Sequence, residues 1–218
     1  MTKMSVLKEG FPFIFSSLAG GTVLIVVSFF ISLIPAVIAC IALGALLIVF
    51  SLFCVFFFRD PSILISQGNG IILSPCNGTV MEIAEEEDEK IIRVFLSIFS
   101  VHLQRSPVDG TVTSVTHKKG KFYAAWNPKA QSENEQNIIT IKSDNAQTQG
   151  VYVVRQIAGL VARRCVSWAK QGDILKAGDK IGMIKFSSQV DLHLPKKAQI
   201  IVKEGEETKA GITIMAVV

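Results

Sequence analysis

The chain has 218 residues, a formal net charge of +4, and apolar side chains at half of its positions. A charge so small and so dispersed excludes the basic footprint of a nucleic-acid-binding domain. Four cysteines without a C-x-x-C pair and three separated histidines (His102, His117, His193) exclude the usual metal-ligand spacings, so no metal site is expected and the cysteines read as buried and reduced.

The apolar residues are concentrated near the N-terminus, where residues 11–58 contain no Asp, Glu, Lys, Arg or His. A helix needs about 20 apolar residues to cross the hydrocarbon core, so this stretch suffices for two crossings. Helices are predicted at about 13–33 and 36–58, with Gly20 and Gly21 inside the first and Pro35 at the turn between them. Residues 1–60 then form a transmembrane hairpin with both ends on one side; a re-entrant anchor is the alternative. Lys3 and Lys8 before it and Arg59 after it favour cytoplasmic ends, hence a cell-membrane protein whose domain 61–218 faces the cytoplasm. A signal peptide has an apolar core of only about 7–15 residues. Val37-Ile38-Ala39-Cys40 is similar to a lipoprotein cleavage site, but apolar sequence follows it where a polar tether is needed.

From Gly68 onward the apolar period changes from helical to alternating. Strands are predicted at Ile71–Leu73, Gly78–Ile83, Ile91–Leu96, Gly110–His117, Ile138–Lys142 and Val151–Ile157. Glu85–Glu89 reads as a solvated turn, and Lys118, Lys119 and Lys121 as a loop face. A helix is predicted at 158–169, with Leu160, Val161 and Val166 on one face. Ser74-Pro75-Cys76-Asn77-Gly78-Thr79-Val80 returns loosely as Ser106-Pro107-Val108-Asp109-Gly110-Thr111-Val112, each an Asn-Gly or Asp-Gly turn entering a strand. Gln171 to Gly182 reads as turn, strand, turn, strand. This rhythm resembles the flattened β-barrel of biotinyl and lipoyl carrier domains, in architecture only, because no modifiable Lys flanked by Met is present. The body is therefore mostly β (α+β), a flattened barrel or sandwich with one or two helices.

The chemistry-bearing segment is Ile184-Lys185-Phe186-Ser187-Ser188-Gln189-Val190-Asp191-Leu192-His193-Leu194-Pro195. Taken alone, its two serines are a turn between strands. The segment resembles the processing site of the short, bacterial and archaeal type of phosphatidylserine decarboxylase, whose pattern is roughly Lys/Arg-Phe-Gly-Ser-x-Val-Asp-Leu-x-Leu-Pro. Two further blocks are similar to the same family. One is Ser97-Ile98-Phe99-Ser100-Val101-His102 with Arg105-Ser106-Pro107-Val108-Asp109-Gly110. The other is Tyr123-Ala124-Ala125-Trp126, continuing through Glu133-Asn134-Glu135 to Arg155-Gln156-Ile157-Ala158-Gly159 and Ala162-Arg163-Arg164. The blocks are collinear across residues 70–218, and an N-terminal hydrophobic anchor is typical of the family.

The resemblance implies a proenzyme cut between Ser187 and Ser188 into a β chain, 1–187, and an α chain, 188–218, which remain together as a heteromer; a dimer of that heteromer is also compatible with it. It implies that Ser188 becomes a covalent pyruvoyl cofactor (pyruvate). That group would form a Schiff base with phosphatidylserine in the bilayer and release CO2 to give phosphatidylethanolamine, a step of phospholipid biosynthesis. His102 matches the histidine beside the family's reaction centre and is the candidate for proton transfer. His193 reads as a strand-face residue and His117 as surface. Arg155, Arg163 and Arg164 are candidates for binding the anionic headgroup, since guanidinium suits phosphate.

The sequence departs from the pattern at two places. Ser187 stands where Gly is usual, which costs backbone freedom at positive φ. Asn77 stands where long-form members have an Asp of the self-cleavage machinery; Asp109 and Asp191 are the alternative carboxylates. Arg105 replaces a long-form histidine, as expected for the short type. The rival readings are an unprocessed, non-enzymatic membrane-tethered β-barrel module and a pyruvoyl decarboxylase of a soluble amino acid.

Overall fold

The computed structural model describes residues 4–123, 127, 129–160, 164–185 and 188–218. The chain divides into two compact units, Met1–Ser62 and Ile63–Val218.

In the first unit, β1 (Met4–Val6) pairs antiparallel with β2 (Arg59–Pro61), and between them run α1 (Phe11–Ser28) and α2 (Ile34–Phe57). The helices pack as an antiparallel pair. Ser51 Oγ donates to the Ile14 carbonyl at 2.9 Å. A Cβ on Gly21 would lie 2.7 Å from the Gly44 carbonyl oxygen, and one on Gly44 2.8 Å from that of Gly21, so two glycines permit the close approach. The predicted boundary between the helices is corrected. α1 stops at Ser28, and Pro35 lies in the first turn of α2 rather than in the connection. A first-turn N–H has no intrahelical acceptor, so proline costs nothing there. Both helices are long and apolar enough to cross a membrane, and they expose Phe15, Leu46 and Leu52.

The second unit is mostly β, as expected. Its strands are β3 (Ile71–Leu73), β4 (Gly78–Glu85), β5 (Glu89–Leu96), β6 (Leu103–Arg105), β7 (Gly110–Lys118), β8 (Gln136–Ser143), β9 (Gly150–Ala158), β10 (Cys165–Ser167), β11 (Ile174–Leu175), β12 (Lys180–Ile184), β13 (Ser188–Pro195), β14 (Gln199–Ile200), β15 (Glu207–Thr208) and β16 (Ile214–Val217); a single helical turn, α3 (Ala130–Glu133), precedes β8. Eight strands form one antiparallel sheet in the order β11-β7-β8-β9-β13-β5-β4-β15, which curls into a half-barrel. Two three-stranded sheets, β10-β12-β6 and β14-β16-β3, complete the unit.

The alternation read in the sequence fills the core. Val190, Leu192 and Leu194 of β13, Ile92, Val94 and Leu96 of β5, and Tyr152 and Val154 of β9 share the inner face and are fully buried. Each large side chain of this set contributes about 1.5–3 kcal/mol of burial.

The predicted helix at 158–169 is corrected. Ala158 ends β9, Cys165–Ser167 is β10 paired with Ile184–Gly182 of β12, and residues 161–163 lie outside those described. A short apolar run fits either period, and pairing with β12 decides it.

The loose sequence repeat is a structural duplication. Ser74 Oγ donates to the Cys76 carbonyl at 2.8 Å, and Ser106 Oγ to the Val108 carbonyl at 2.7 Å. Asn77 Oδ1 accepts from the Ala210 amide at 3.2 Å, and Asp109 Oδ1 from the Ala177 amide at 2.7 Å. β15 meets β4 at Thr208–Gly78, and β11 meets β7 at Leu175–Gly110. Both returning segments end in Lys-Ala-Gly, whose glycines, Gly178 and Gly211, take φ of +88° and +70°, a region that disfavours any side chain.

Candidate active site

β13 lies between β5 and β9, and its first residue, Ser188, is in register with Leu96 and Ala158. Four connections at this end are 97–102 after β5, 119–135 between β7 and β8, 159–164 after β9, and 185–187 before β13, and the 74–77 turn entering β4 lies at the same end. They are tied together through backbone groups. The Ile184 amide donates to the His102 carbonyl at 3.2 Å, the Lys185 amide to the Arg164 carbonyl at 3.2 Å, and the Ala158 amide to the Glu135 carbonyl at 2.9 Å. Asn134 Nδ2 donates to the Ala158 carbonyl at 2.7 Å, and Glu135 Oε1 accepts from the Cys165 amide at 3.2 Å. The Glu133-Asn134-Glu135 block thus fixes the strand end that pairs with Ser188.

Ser188 is fully buried on the core face of the sheet, and its Oγ has no hydrogen-bond partner among the described residues. A buried hydroxyl without a partner costs about 1–3 kcal/mol, so a fold keeps one where chemistry needs it. Ser187, on the other side of the expected scissile bond, lies outside the described residues.

His102 is 1% exposed at the end of the 97–102 connection, immediately before β6. Its Nδ1–H donates to the Ser100 carbonyl at 2.9 Å, so in the neutral ring Nε2 is the basic nitrogen. β6 pairs with β12 at Leu103–Met183 while β5 pairs with β13 at Leu96–Ser188. The loop carrying His102 and the loop entering Ser188 therefore run side by side.

Behind them lies a buried amide chain that the sequence reading missed. Gln104 Nε2 donates to the His102 carbonyl at 2.8 Å, Gln156 Nε2 to Gln104 Oε1 at 2.7 Å, and Asn137 Nδ2 to Gln156 Oε1 at 3.1 Å. With the Asn137 amide nitrogen so committed, its Oδ1 faces His117 Nδ1 at 2.7 Å, which makes that ring nitrogen the donor. Every donor points toward His102. The available signal was a polar residue at an inward strand position, Gln156 between Val154 and Ala158.

The other candidates divide between the two faces and the two ends of the sheet. Arg155 is one residue from Gln156 and so on the opposite face, in register with Asp191. Its Nε donates to Gln136 Oε1 at 2.9 Å, a second N–H donates to the Gln131 carbonyl, and Nη1 stands 3.9 Å from Asp191. Arg164 is exposed at the Ser188 end, and Arg163 lies outside the described residues. Asp191 is 1% exposed and accepts from Gln189 Nε2 at 2.6 Å. Burial raises its pKa above the ordinary carboxylate range, against the Gln189 hydrogen bond and the charges of Arg155 and Arg93. It faces away from Ser188. Asp109, a turn cap, and His193, which meets Glu89 at 2.9 Å, lie at the opposite end of the sheet. Asn77 instead caps the turn that enters β4 beside Leu96, the strand partner of Ser188, and so lies at the Ser188 end. Burial pushes the Cys165 thiol up to about 12, which keeps it unreactive. A cavity of about 420 Å³ is bordered by Gly70, Asp109, Thr148 and Lys176 at the end opposite Ser188; neither Ser188 nor His102 lines it.

The family model for phosphatidylserine decarboxylase matches residues 50–216. A phosphatidylserine decarboxylase proenzyme from Carboxydothermus hydrogenoformans is 41% identical over 181 residues, 79% of this chain and 83% of the relative. Proenzymes of the same name from Symbiobacterium thermophilum and Geotalea uraniireducens are 35% and 36% identical and span 99% and 96% of this chain, and 96% and 94% of their own length. With the family model matching about three quarters of the chain and these relatives matched over most of their own length, the chain belongs to the phosphatidylserine decarboxylase family.

Proposed function

We propose that this chain is a proenzyme that cuts itself between Ser187 and Ser188, converts Ser188 into a pyruvoyl group and decarboxylates phosphatidylserine to phosphatidylethanolamine in phospholipid biosynthesis. The observation that carries the reading is the buried Ser188 Oγ, without a hydrogen-bond partner among the described residues, at the head of a central strand with the His102 loop alongside.

In maturation Ser188 Oγ attacks the carbonyl carbon of residue 187, replacing the peptide bond by an ester and freeing the Ser188 nitrogen. β-Elimination releases the carboxylate of residue 187. The resulting dehydroalanine takes up water and loses ammonia, leaving a pyruvoyl group at the head of residues 188–218. A pyruvoyl group retains the Cα, Cβ and carbonyl of Ser188, so it fits the space that the serine already occupies. Once formed, it supplies an electrophile for the substrate amine and an electron sink for loss of CO2. His102 Nε2 is the residue placed to hold and return a proton, in the tautomer set by Ser100. The Gln104-Gln156-Asn137 chain fixes the backbone on which His102 rides. Asn134 and Glu135 fix Ala158 opposite the reacting residue.

Among the candidate arginines, Arg164 is at the Ser188 end and suits the headgroup phosphate, with Arg163 as its neighbour in sequence. α1 and α2 serve as a membrane hairpin with cytoplasmic ends, flanked by Lys8 and Arg59. Confinement to the bilayer raises the effective concentration of a lipid substrate.

The test is intact mass spectrometry of the purified protein before and after treatment with a hydride reductant. Two chains, 1–187 and 188–218, with a reducible carbonyl on the smaller, are expected. One full-length chain without such a carbonyl overturns the reading in favour of a non-enzymatic membrane module.

A further inference from the structure

The four connections around Ser188 carry a surface that the chemistry alone does not require. Phe99 is 65% exposed, Leu160 62%, Ile98 39% and Phe122 37%, and all four lie in those connections. Interleaved with them are the exposed Lys119, Lys121 and Arg164; Lys121 pairs with Glu133 at 2.8 Å. The opposite end of the sheet also exposes Val151 and Ile174, but among acidic side chains: the Glu85–Glu89 turn, Asp144 and Asp173. Lys196, Lys142 and Lys176 offset part of that charge, through Glu85, Asp144 and Asp109, and leave Glu86, Glu87 and Asp88 of the turn exposed. The unit is thus electrically polar along its strands, cationic and apolar at the Ser188 end and acidic at the other.

We propose that the Ser188 end of the eight-stranded sheet is a membrane-docking surface for an anionic phospholipid bilayer. Phe99 and Leu160 enter the interfacial region, and Lys119 and Arg164 meet the headgroups. The inference rests on the decarboxylase reading for its substrate: a headgroup whose acyl chains stay in the bilayer reaches a buried Ser188 only if the surrounding loops touch that bilayer. Apolar side chains flanked by Lys and Arg are the pattern of an interfacial contact, with affinity from buried apolar area plus attraction to anionic lipid. Charge complementarity selects this end, because the acidic end would be repelled by the same surface. Singly scattered apolar residues need no partner, whereas these four lie in connections at one end of the sheet.

The experiment uses the full chain reconstituted in vesicles and compares wild type with the double variant Phe99→Ser/Leu160→Ser. Decarboxylation is read on phosphatidylserine in phosphatidylglycerol-rich vesicles and on a short-chain phosphatidylserine that is monomeric in water. Loss of the two anchors is expected to lower kcat/KM on vesicles by on the order of tenfold, leaving the monomeric substrate and self-cleavage unchanged. Equal losses on both substrates make the residues structural, and no loss on either leaves delivery to the hairpin; both results overturn the proposal. A second readout needs no activity: an environment-sensitive fluorophore on Leu160→Cys, in a Cys40→Ser background, probed with brominated lipids. Quenching that grows with phosphatidylglycerol content supports docking, and absent quenching overturns it. Quenching in a wild type that decarboxylates neither substrate keeps the docking surface and overturns the assigned reaction.

Discussion

The two ends of the eight-stranded sheet are built from the same strands and differ in what leaves them. At the far end, β4 joins β5 and β8 joins β9 through short turns, 86–88 and 144–149. Beside one small buried cluster, Ser143, Thr148 and Tyr152, the interactions there include outer pairs such as His193–Glu89 and Lys196–Glu85. At the Ser188 end, the connections, of which 119–135 is by far the longest, are fastened to one another by backbone and amide hydrogen bonds. That end also buries polar groups: Ser188, His102, Gln104, Gln156 and Asn134. Burying polar groups is costly unless each is satisfied, so their concentration at one end marks where the fold gives up stability for chemistry.

The sharpest test of that contrast is Ser188→Ala. It removes the proposed nucleophile and pyruvoyl precursor while losing only the Oγ atom. Self-cleavage and decarboxylation are both expected to vanish, with the melting temperature of the uncleaved protein preserved; denaturing gels and thermal melts check this. His102→Ala comes next, with a loss of about 10²- to 10⁴-fold in kcat, the usual contribution of a positioned acid–base group. Gln156→Leu leaves Asn137 Nδ2 and Gln104 Oε1 buried and unpaired. It is expected to cost about 2–3 kcal/mol, seen as a melting temperature lower by about 5–10 °C, together with a reduced kcat.

Asp191→Asn acts through pH. Because the folded protein raises this pKa, the stability supplied by the protonated group is fully present below its unfolded value, about 3.9. That stability is lost as pH rises through the folded value. The asparagine variant keeps a neutral acceptor for Gln189, so its melting temperature relative to wild type is expected to climb from acidic toward neutral pH. A flat difference would mean that the aspartate is not held protonated by its burial. The smallest effect belongs to the far end. Glu87→Lys, on an exposed turn, is expected to change stability by less than about 0.5 kcal/mol and activity not at all, and a larger loss in melts or assays would erase the distinction between the ends.

Much of this was legible before any coordinates. The strands entering after Asn77-Gly78 and Asp109-Gly110 announced themselves through turn chemistry and alternation, and the apolar stretch of residues 11–58 announced two helices. Pro35 misled because proline both breaks helices and opens them. Leu160, Val161 and Val166 misled because three apolar positions satisfy a helical spacing by accident. Ser188 carried no signal of its own in composition or period; only resemblance singled it out. Arg155 illustrates a different limit. Residue type made it a candidate cation, but strand alternation sends it to the face opposite Gln156, and its donors serve Gln136 and Gln131. The amide chain was illegible for a third reason. Gln104, Asn137 and Gln156 come from three strands far apart in sequence, and their alignment exists only after the sheet closes.

The position of Ser188 at the head of β13 has a consequence for how long one enzyme molecule lasts. The strand that begins with it is hydrogen-bonded on one side to β5 from Ser188–Leu96 to Pro195–Glu89, and on the other to β9. On the proposed chemistry, a prosthetic group made there cannot be lost by dilution or dialysis, because releasing it means unravelling the middle of the sheet. By the same token it cannot be replaced. A loosely bound coenzyme can be exchanged after damage, whereas a molecule whose single reactive carbonyl is consumed by a side reaction has no spare serine at that address. The working lifetime of each molecule is then set by the fidelity of its own turnover, and renewal requires synthesis of a new chain.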